Sequence, residues 1–288
     1  MVKKILAKSY IYLILLLMYL PILVLIVYSF STRTSIGDGY EFGFDLWANL
    51  FDPEAKIAGE IWTALGNTLI IAVVSALVAT ILGTLGAIGA FYSGKRTQKV
   101  IEAATQIPVS NPEIVMALSL VVMFVSLKVI GIEFNFWTLL VGHVVLGLPF
   151  VYLSVKPKLI QMDPHLYEAA LDLGCAPRQA LTKVVVPQIM PGVLSGFLLS
   201  ITLSLDDFIV TAFTRGPGLL SGSKSIETLS TLIQAKLKKG AIPPEMRPLT
   251  LIIFVVVLAI AILISVKKTN DAKKMKERKG RLWKLINY

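Results

Sequence analysis

The sequence predicts an all-α integral membrane protein with six transmembrane helices. Of its 288 residues, 55% are hydrophobic and only 16% are charged, and the mean hydropathy is +0.74. A soluble domain carries about 25% charged residues, so this composition excludes an ordinary soluble protein. Six apolar stretches have roughly the length that a helix needs to cross a bilayer. Several of the segments between them are basic, which is typical of loops on the cytoplasmic side.

The predicted elements follow one another along the chain without internal repeats. Residues 1–30 form a short basic tail and the first span, and residues 31–62 form an external segment with more acidic than basic side chains. Residues 63–266 form the core, with five further spans within 63–92, 108–129, 134–155, 188–213 and 249–266. Residues 267–288 form a basic tail that we expect to lie in the cytoplasm against anionic lipid headgroups. Both termini are then cytoplasmic.

The net charge of +10 does not indicate a nucleic-acid partner. Much of the basic charge lies beside apolar spans or in the C-terminal tail, where the positive-inside rule explains it. The chain has one cysteine, which excludes an intrachain disulfide.

A stripe of small residues marks the second span. It consists of Ala79, Gly83, Gly86, Ala87 and Ala90. In lipid, small residues allow helices to approach closely, so this stripe predicts a helix-packing face and not a phosphate-binding loop.

A polar stretch between two apolar spans, residues 163–187, predicts two short helices outside the bilayer. Asp163-Pro164 is a typical helix start, with Asp as the N-cap and Pro at the first helical position. Gly174 is a typical helix stop, and Pro177 can begin a second helix. The first of these helices is apolar on most sides, so it needs a surface to bury against, and a groove on another protein would serve.

The same stretch resembles the EAA signature of the permease subunits of bacterial ABC importers. The resemblance rests on Glu168-Ala169-Ala170, then Gly174, and then Val184-Val185-Val186-Pro187, where the family more often ends in Ile-x-Leu-Pro. It implies a type I ABC importer permease (MetI-like) fold in which this loop docks on an ATPase subunit. The implied coupling residues are Glu168, Ala169, Ala170, Gly174 and Pro187. An ordinary amphipathic helix on the membrane surface is the alternative.

Adjacent carboxylates lie within the predicted fifth span. A helix rising about 1.5 Å per residue would place Asp206 and Asp207 within the membrane, towards its outer half. A carboxylate at the bilayer centre costs about 2.5–3.5 kcal/mol, so the pair needs either a water-filled pathway or partners on neighbouring helices. Consecutive residues on a helix cannot face the same way, so one could face a pathway while the other holds helices together. Glu113, expected near the inner face at the start of the third span, could contact a leaving substrate or brace a proline-broken helix.

Two further segments resemble spermidine/putrescine permeases of bacteria, the PotC type more than the PotB type. They are residues 111–117, NPEIVMA, and residues 204–208, SLDDF, with Gly216-Pro217 after them. The resemblance implies import of polyamines across the bacterial cytoplasmic membrane, with Asp206, Asp207 and Glu113 in the substrate pathway. It implies a PotB-like second permease, a PotA-like ATPase dimer that binds the ATP, and an external PotD-like binding protein. An importer of an iron chelate, phosphonate, thiosulfate or another small solute, or a secondary transporter, is the alternative.

No catalytic chemistry is indicated. The sequence has neither the ATP-binding pattern G-x-x-x-x-G-K-[ST] nor the nucleophile pattern G-x-S-x-G, and no His, Cys and carboxylate side chains have metal-ligand spacing. We therefore expect no enzyme activity, no cofactor and no metal in this chain. His143, alone in the fourth span, is more typical of a residue hydrogen-bonded inside a helix bundle than of a ligand or proton relay.

Overall fold

The fold is that of an all-helical protein. The structure, a computed structural model, describes residues 2–34, 39–127, 133–163, 165–215, 226–240, 242–259 and 262. Within these residues the pairing of extended chain is limited to one antiparallel bridge between Ser31 and Phe42.

The helices of the described residues are numbered here in chain order. They are α1 (Val2–Tyr28), α2 (Asp45–Phe51), α3 (Lys56–Phe91), α4 (Lys95–Ser110), α5 (Glu113–Leu127), α6 (Phe136–Gln161), α7 (His165–Asp172), α8 (Pro177–Ala180), α9 (Val186–Asp206), α10 (Ile209–Thr214), α11 (Leu229–Lys238) and α12 (Met246–Ala259). A π-helical turn, Leu181–Val185, joins α8 to α9.

The described residues contain four helices that are long and apolar enough to cross a membrane. They are α1 from Lys8, α3, α6, and the continuous helix Pro177–Asp206. The pair α4 and α5 makes a fifth if it is counted as one broken span. The expected sixth span, residues 249–266, is described only to residue 259 and at residue 262, and its helix α12 is shorter than a full span. The basic tail, residues 267–288, lies outside the described residues. The expectation of several membrane-spanning helices is therefore confirmed, and the count of six stays a prediction.

Two compact units make up the chain. One combines the residues up to Gly59 with those from Ala241 onward, and the other is Glu60–Gly240. In the first unit, the guanidinium of Arg247 at the start of α12 donates hydrogen bonds to the carbonyls of Arg33 and Thr34. The second unit contains every residue that the sequence selects as a candidate site.

The core of the second unit lies where α6 packs against α9, with α3 beside them. Ala79, Ala87 and Ala90 of the small-residue stripe are buried in it. A Cβ added at Gly83 would lie 2.8 Å from Cβ of Val151 on α6, so the stripe is a packing face, as predicted. Gly86 is not part of that face, because nothing lies within 4 Å of a Cβ added there.

The proline-rich start of the expected third span is a sharp bend. The axes of α4 and α5 differ by 109°, and the break is at Asn111-Pro112, where the proline ring disfavours helical backbone at the residue before it. Pro108 lies inside α4. The third span is therefore not one helix from residue 108 to residue 129, because the 16 residues of α4, Lys95–Ser110, are already helical before the break.

Candidate functional site

Helix α7 is built as the sequence predicts. The carboxylate of Asp163 accepts a hydrogen bond of 3.0 Å from the amide of His165, so Asp163 caps the helix. At the other end, the amide of Gly174 donates to the carbonyl of Leu171 (2.9 Å), and the amide of Cys175 donates to that of Ala170 (3.0 Å). These two bonds form a Schellman motif, which needs a left-handed residue, and Gly174 has a φ of +85°.

The two sides of α7 differ in exposure. Ala170 is buried, and the side chains of Leu166 and Tyr167 pack against the core of the second unit. Glu168 and His165 are 73% and 81% exposed, with 3.5 Å between a carboxylate oxygen and Nδ1. Leu173 is 86% exposed, which is unusual for a leucine at the end of a helix. Helix α7 thus rests on the core and presents an acidic surface with an apolar edge.

Helix α7 is also attached to the end of α3. The rings of Tyr92 and Tyr167 lie 5.1 Å apart between centroids, within the range of favourable aromatic pairs. Burial, with the neighbouring Tyr167, raises the pKa of the Tyr92 phenol above its ordinary value. The phenol therefore stays neutral at physiological pH, and this contact does not depend on ionisation.

The second half of the loop continues directly into a long helix. Pro177 opens α8 as predicted, but no break follows, because the π-helical turn carries the chain into α9. The fifth span was expected to begin at Gln188 and begins instead within one helix that runs from Pro177 to Asp206. The π turn has a local cause: Pro187 has no amide to donate, and its ring would clash with the carbonyl four residues earlier.

The aspartates lie where that long helix ends, and they face different surroundings. Helix α9 stops at Asp206, and Asp207 has extended backbone, with φ −64° and ψ 129°. The expected fifth span, residues 188–213, is therefore interrupted here, and α10 is a separate short helix. Asp207 is buried, and its carboxylate accepts bonds from the amides of Val210 (3.1 Å) and Thr211 (2.8 Å) and from the Thr211 hydroxyl (2.9 Å). Asp206 is exposed.

Glu113 belongs to the same region. Its carboxylate is exposed at the start of α5 and lies within electrostatic range of Asp207 and Asp206. Helix α5 packs on α10 through a small core of Ala117, Leu120, Phe124 and Val210. The expected position near the inner face stays a prediction. The three acids form one group.

A chain of buried polar side chains, which the sequence did not indicate, supports this group. Ser75 of α3 lies 3.3 Å from Ser204 of α9, and Ser204 lies 2.8 Å from Nδ1 of His143. Nε2 of His143 lies 2.9 Å from the Thr211 hydroxyl, which bonds to Asp207. His143 is thus hydrogen-bonded on both ring nitrogens inside the bundle, as predicted. In sequence, serine and threonine hydroxyls in apolar helices carry no such signal, because they commonly bond to their own helix.

A third tether reaches the aspartates from α11. The hydroxyl of Ser230 donates to the backbone carbonyl of Asp207 at 2.8 Å. Helix α11 is in turn fixed to α3, since Asn67 donates to the carbonyl of Glu227 and Thr68 accepts from the amide of Leu229, both at 2.8 Å. The break between α9 and α10 is therefore held from three sides. Among the described residues, no group of three or more His, Cys, Asp or Glu side chains could hold a metal ion.

Comparison with known proteins places the chain in a family. A family model described as "Binding-protein-dependent transport system inner membrane component" matches residues 79–273. The chain belongs to this family. The permease is 37% identical over 196 residues to the spermidine/putrescine transport system permease protein PotC of Escherichia coli (strain K12). The aligned residues cover 68% of this chain and 70% of that protein. It is 31% identical over 211 residues to the putrescine transport system permease protein PotI of the same organism, with 72% of each chain covered.

A solved structure has the same fold. It is titled "Crystal structure of a bacterial ABC transporter involved in the import of the acidic polysaccharide alginate", and the similarity has a TM-score of 0.66 at 15% identity, over 93% of this chain and 96% of that one. The chain is thus the membrane permease of an ABC importer, homologous to polyamine permeases. The core boundaries of 63–266, and the roles of the individual coupling and pathway residues, stay predictions.

Proposed function

We propose that this permease imports polyamines, such as putrescine or spermidine, and forms half of a translocation pathway with a second, related permease. An external binding protein delivers the substrate, and a dimer of separate ATPase subunits binds the ATP. The observation that carries the proposal is the exposed carboxylate of Asp206 at the end of a membrane-spanning helix, with Glu113 in electrostatic range. The names of the relatives PotC and PotI support the choice of polyamines.

The charge of the site fits a polycation. An exposed carboxylate at membrane depth costs about 2.5–3.5 kcal/mol when it faces lipid, so the surface around Asp206 needs water, a cation or a partner. Polyamines are extended chains of ammonium groups, and each ammonium can donate hydrogen bonds only. Two carboxylates that accept such bonds provide charge-assisted contacts without requiring a fixed shape.

Helix α9 has two exposed faces of different chemistry. Met190, Leu194, Leu198 and Leu205 form an apolar face, which suits lipid. Gln188, Ser195, Thr202 and Asp206 form a polar stripe about 100° away, which follows α9 for about 27 Å, with Leu199 as its apolar member. A helix with both faces suits a position between lipid and a hydrophilic pathway.

The hydroxyl oxygens of this stripe can accept hydrogen bonds from a ligand that is a donor. Ser195 and Thr202 donate to the carbonyls of Pro191 and Leu198, at 2.8 and 2.9 Å. Their protons are therefore occupied, and their oxygens present lone pairs to the exposed side. A row of acceptors that leads away from Asp206 is suited to an ammonium group that moves along the helix.

The loop of α7 and α8 provides the coupling to ATP hydrolysis. Its proposed position is cytoplasmic, with both chain termini on the same side, and Glu168, Ala169 and Ala170 face or adjoin the ATPase. Because α8 continues into α9, a displacement of the loop moves the polar stripe with it. ATP binding would in this way change the access of the pathway from one side to the other, provided that the ATPase contacts differ between the two states.

Uptake by the assembled transporter tests the proposal. The permease is reconstituted in vesicles with its partner permease, ATPase and binding protein, and ATP-driven uptake of labelled putrescine and spermidine is measured. We expect saturable uptake that unlabelled polyamines inhibit and that neutral sugars, phosphonates and thiosulfate do not. Uptake of one of these other solutes in place of polyamines would assign the permease to a different ABC importer. Uptake of polyamines without ATP would favour a secondary transporter.

A further inference from the structure

The buried polar chain has a direction that its own hydrogen bonds determine. Asp207 accepts from two backbone amides, so its carboxylate is the acceptor at that end, and the Thr211 hydroxyl donates to it. The Thr211 oxygen is then free to accept, and its partner at 2.9 Å is Nε2 of His143. The imidazole must therefore carry its proton on Nε2.

The directions of the remaining buried hydrogen bonds follow from the proton on Nε2. With Nε2 protonated in a neutral ring, Nδ1 is an acceptor, and the Ser204 hydroxyl donates to it at 2.8 Å. The Ser204 oxygen accepts in turn from the Ser75 hydroxyl, whose oxygen lies 3.3 Å from that of Ser204 and also 3.3 Å from the carbonyl oxygen of Ala72. The single Ser75 proton is therefore shared between these two acceptors. Each donor from α3 through α9 and α6 to α10 thus has an acceptor, and all five side chains are buried.

This chain divides the two aspartates by role. The Asp207 carboxylate caps α10 and is the last acceptor of the buried hydrogen bonds. Nε2 of His143 lies 3.8 Å from a carboxylate oxygen of Asp207. Helix α9 ends at Asp206, and the buried hydrogen bonds hold Asp207. The Asp206 side chain is therefore directed to the exposed side. None of the hydrogen bonds of the buried chain uses the Asp206 carboxylate.

We propose that His143 is a positioning residue of the permease. Through Thr211 it holds Asp207 as the anchor of the break between α9 and α10, and this leaves Asp206 as the carboxylate that meets the cationic substrate. The proposal rests on the proposed function only in its last step, the contact of Asp206 with a cation. The proton order of the chain is independent of what is transported.

The first arm of the test measures the histidine tautomer. The complete transporter is labelled with nitrogen-15 histidine, and nuclear magnetic resonance spectra of the wild type and of His143→Gln are subtracted to isolate the His143 signals. We expect a neutral ring with Nε2 protonated and Nδ1 unprotonated. A proton on Nδ1, alone or with a second on Nε2, would overturn the proposed order whatever the substrate.

The second arm measures uptake of labelled putrescine per assembled transporter. Thr211→Val removes the hydroxyl at nearly constant volume and should lower the maximal rate about tenfold, because the Nε2 proton of His143 loses its acceptor and Asp207 loses a donor. Its KM should change little, because the binding protein captures the substrate before the permease does. Thr211→Ser should retain most of the rate. Thr214→Val is the matched control, since Thr214 is equally buried on α10 but its hydroxyl donates to the carbonyl of Val210 in its own helix.

A double-mutant cycle separates positioning from a structural role. If Thr211 acts through Asp206, Thr211→Val has no further effect on the rate when Asp206→Asn is already present. Independent, multiplicative losses would overturn the positioning role, even with the expected tautomer. An unchanged rate for Asp206→Asn alone would overturn the contact with substrate. Absence of polyamine uptake by the wild type would instead contradict the proposed function. The tautomer result would then decide whether the proposed proton order of the buried side chains is right.

Discussion

The ammonium of Lys156 lies 2.7 Å from the carboxylate of Glu102, and this ion pair ties the last turns of α6 to α4. Both side chains are 27% exposed, so the pair is intermediate between a solvated and a buried one. The contact lies at the end of α6 that leads into α7. It therefore connects the broken pair of α4 and α5 with the helix that leads into the loop of α7 and α8.

We predict that Lys156→Met destabilises the permease by about 1–3 kcal/mol, between the values typical of exposed and buried pairs. The loss arises because Glu102 is left half-buried without its partner. Thermal unfolding of the assembled transporter measures it. Lys158→Met is the control, since among the described residues its ammonium makes a long contact of 3.4 Å with the neutral side chain of Gln161. A combined Glu102→Lys and Lys156→Glu exchange should recover part of the stability, and equal melting temperatures of Lys156→Met and Lys158→Met would contradict the prediction.

The close packing of α6 and α9 predicts a strong effect of one added methyl group. A Cβ at Gly196 would lie 2.9 Å from Cα of Val151 and 3.3 Å from Cβ of Ser154. We expect Gly196→Ala to destabilise the fold by about 1–3 kcal/mol through overpacking. Gly86→Ala has open space and a helical backbone, and should be neutral or up to about 1 kcal/mol stabilising. Thermal unfolding of both variants measures the difference in stability. A melting temperature for Gly196→Ala at or above that of Gly86→Ala would refute the predicted overpacking.

The left-handed backbone of Gly174 predicts that α7 frays when a side chain is added. Alanine at a φ of +85° costs about 1–2 kcal/mol, although nothing obstructs its Cβ. We expect faster amide hydrogen exchange in α7 for Gly174→Ala in the assembled transporter. Asparagine tolerates this conformation better, so Gly174→Asn should show an intermediate rate. Equal protection of α7 in all three proteins would mean that the Schellman motif does not determine its stability.

The exposed acid of α7 predicts uncoupling when its charge is reversed. Glu168→Lys should reduce ATP-driven uptake about tenfold or more, as charge reversal at a docking surface commonly does, while ATP hydrolysis and the amount of permease in the membrane persist. Gln179→Lys places a lysine at another exposed position of the loop without removing an acid and should retain uptake. Normal uptake by Glu168→Lys would argue against the coupling role of this residue.

Local signals in the sequence predict the loop well and the acid group poorly. The helix of α7 could be predicted because its start and stop use residues with local roles, Asp163 as a cap and Gly174 as a left-handed stop. The break after Asp206 has no glycine or proline to indicate it. It exists because the side chain of Asp207 caps α10 and because His143, from a distant helix, completes the buried chain. Such long-range hydrogen bonds leave no periodic pattern in a sequence.

The meeting of Glu113 with the aspartates could not be predicted for a related reason. The prolines at 108 and 112 indicate a bend, but not which of them breaks the helix. The fold keeps Pro108 inside α4 and breaks at Asn111-Pro112, so Glu113 begins α5 instead of continuing α4. Packing of α5 on α10 then brings Glu113 into range of Asp207 and Asp206.

The different surroundings of the two aspartates predict opposite effects of the same substitution. Asp207→Asn replaces an acceptor of three hydrogen bonds by an amide whose nitrogen cannot accept. We expect a loss of about 1–3 kcal/mol in stability, visible as a lower melting temperature of the assembled transporter. Asp206→Asn removes no bond of the buried chain, so its melting temperature should match that of the wild type. Its polyamine uptake should fall about tenfold to a hundredfold, because a neutral amide loses a charge-assisted contact of about 1.5–3 kcal/mol with the passing cation. A destabilised Asp206→Asn with normal uptake per folded transporter, or a fully stable Asp207→Asn, would reverse the assignment of anchor and substrate contact.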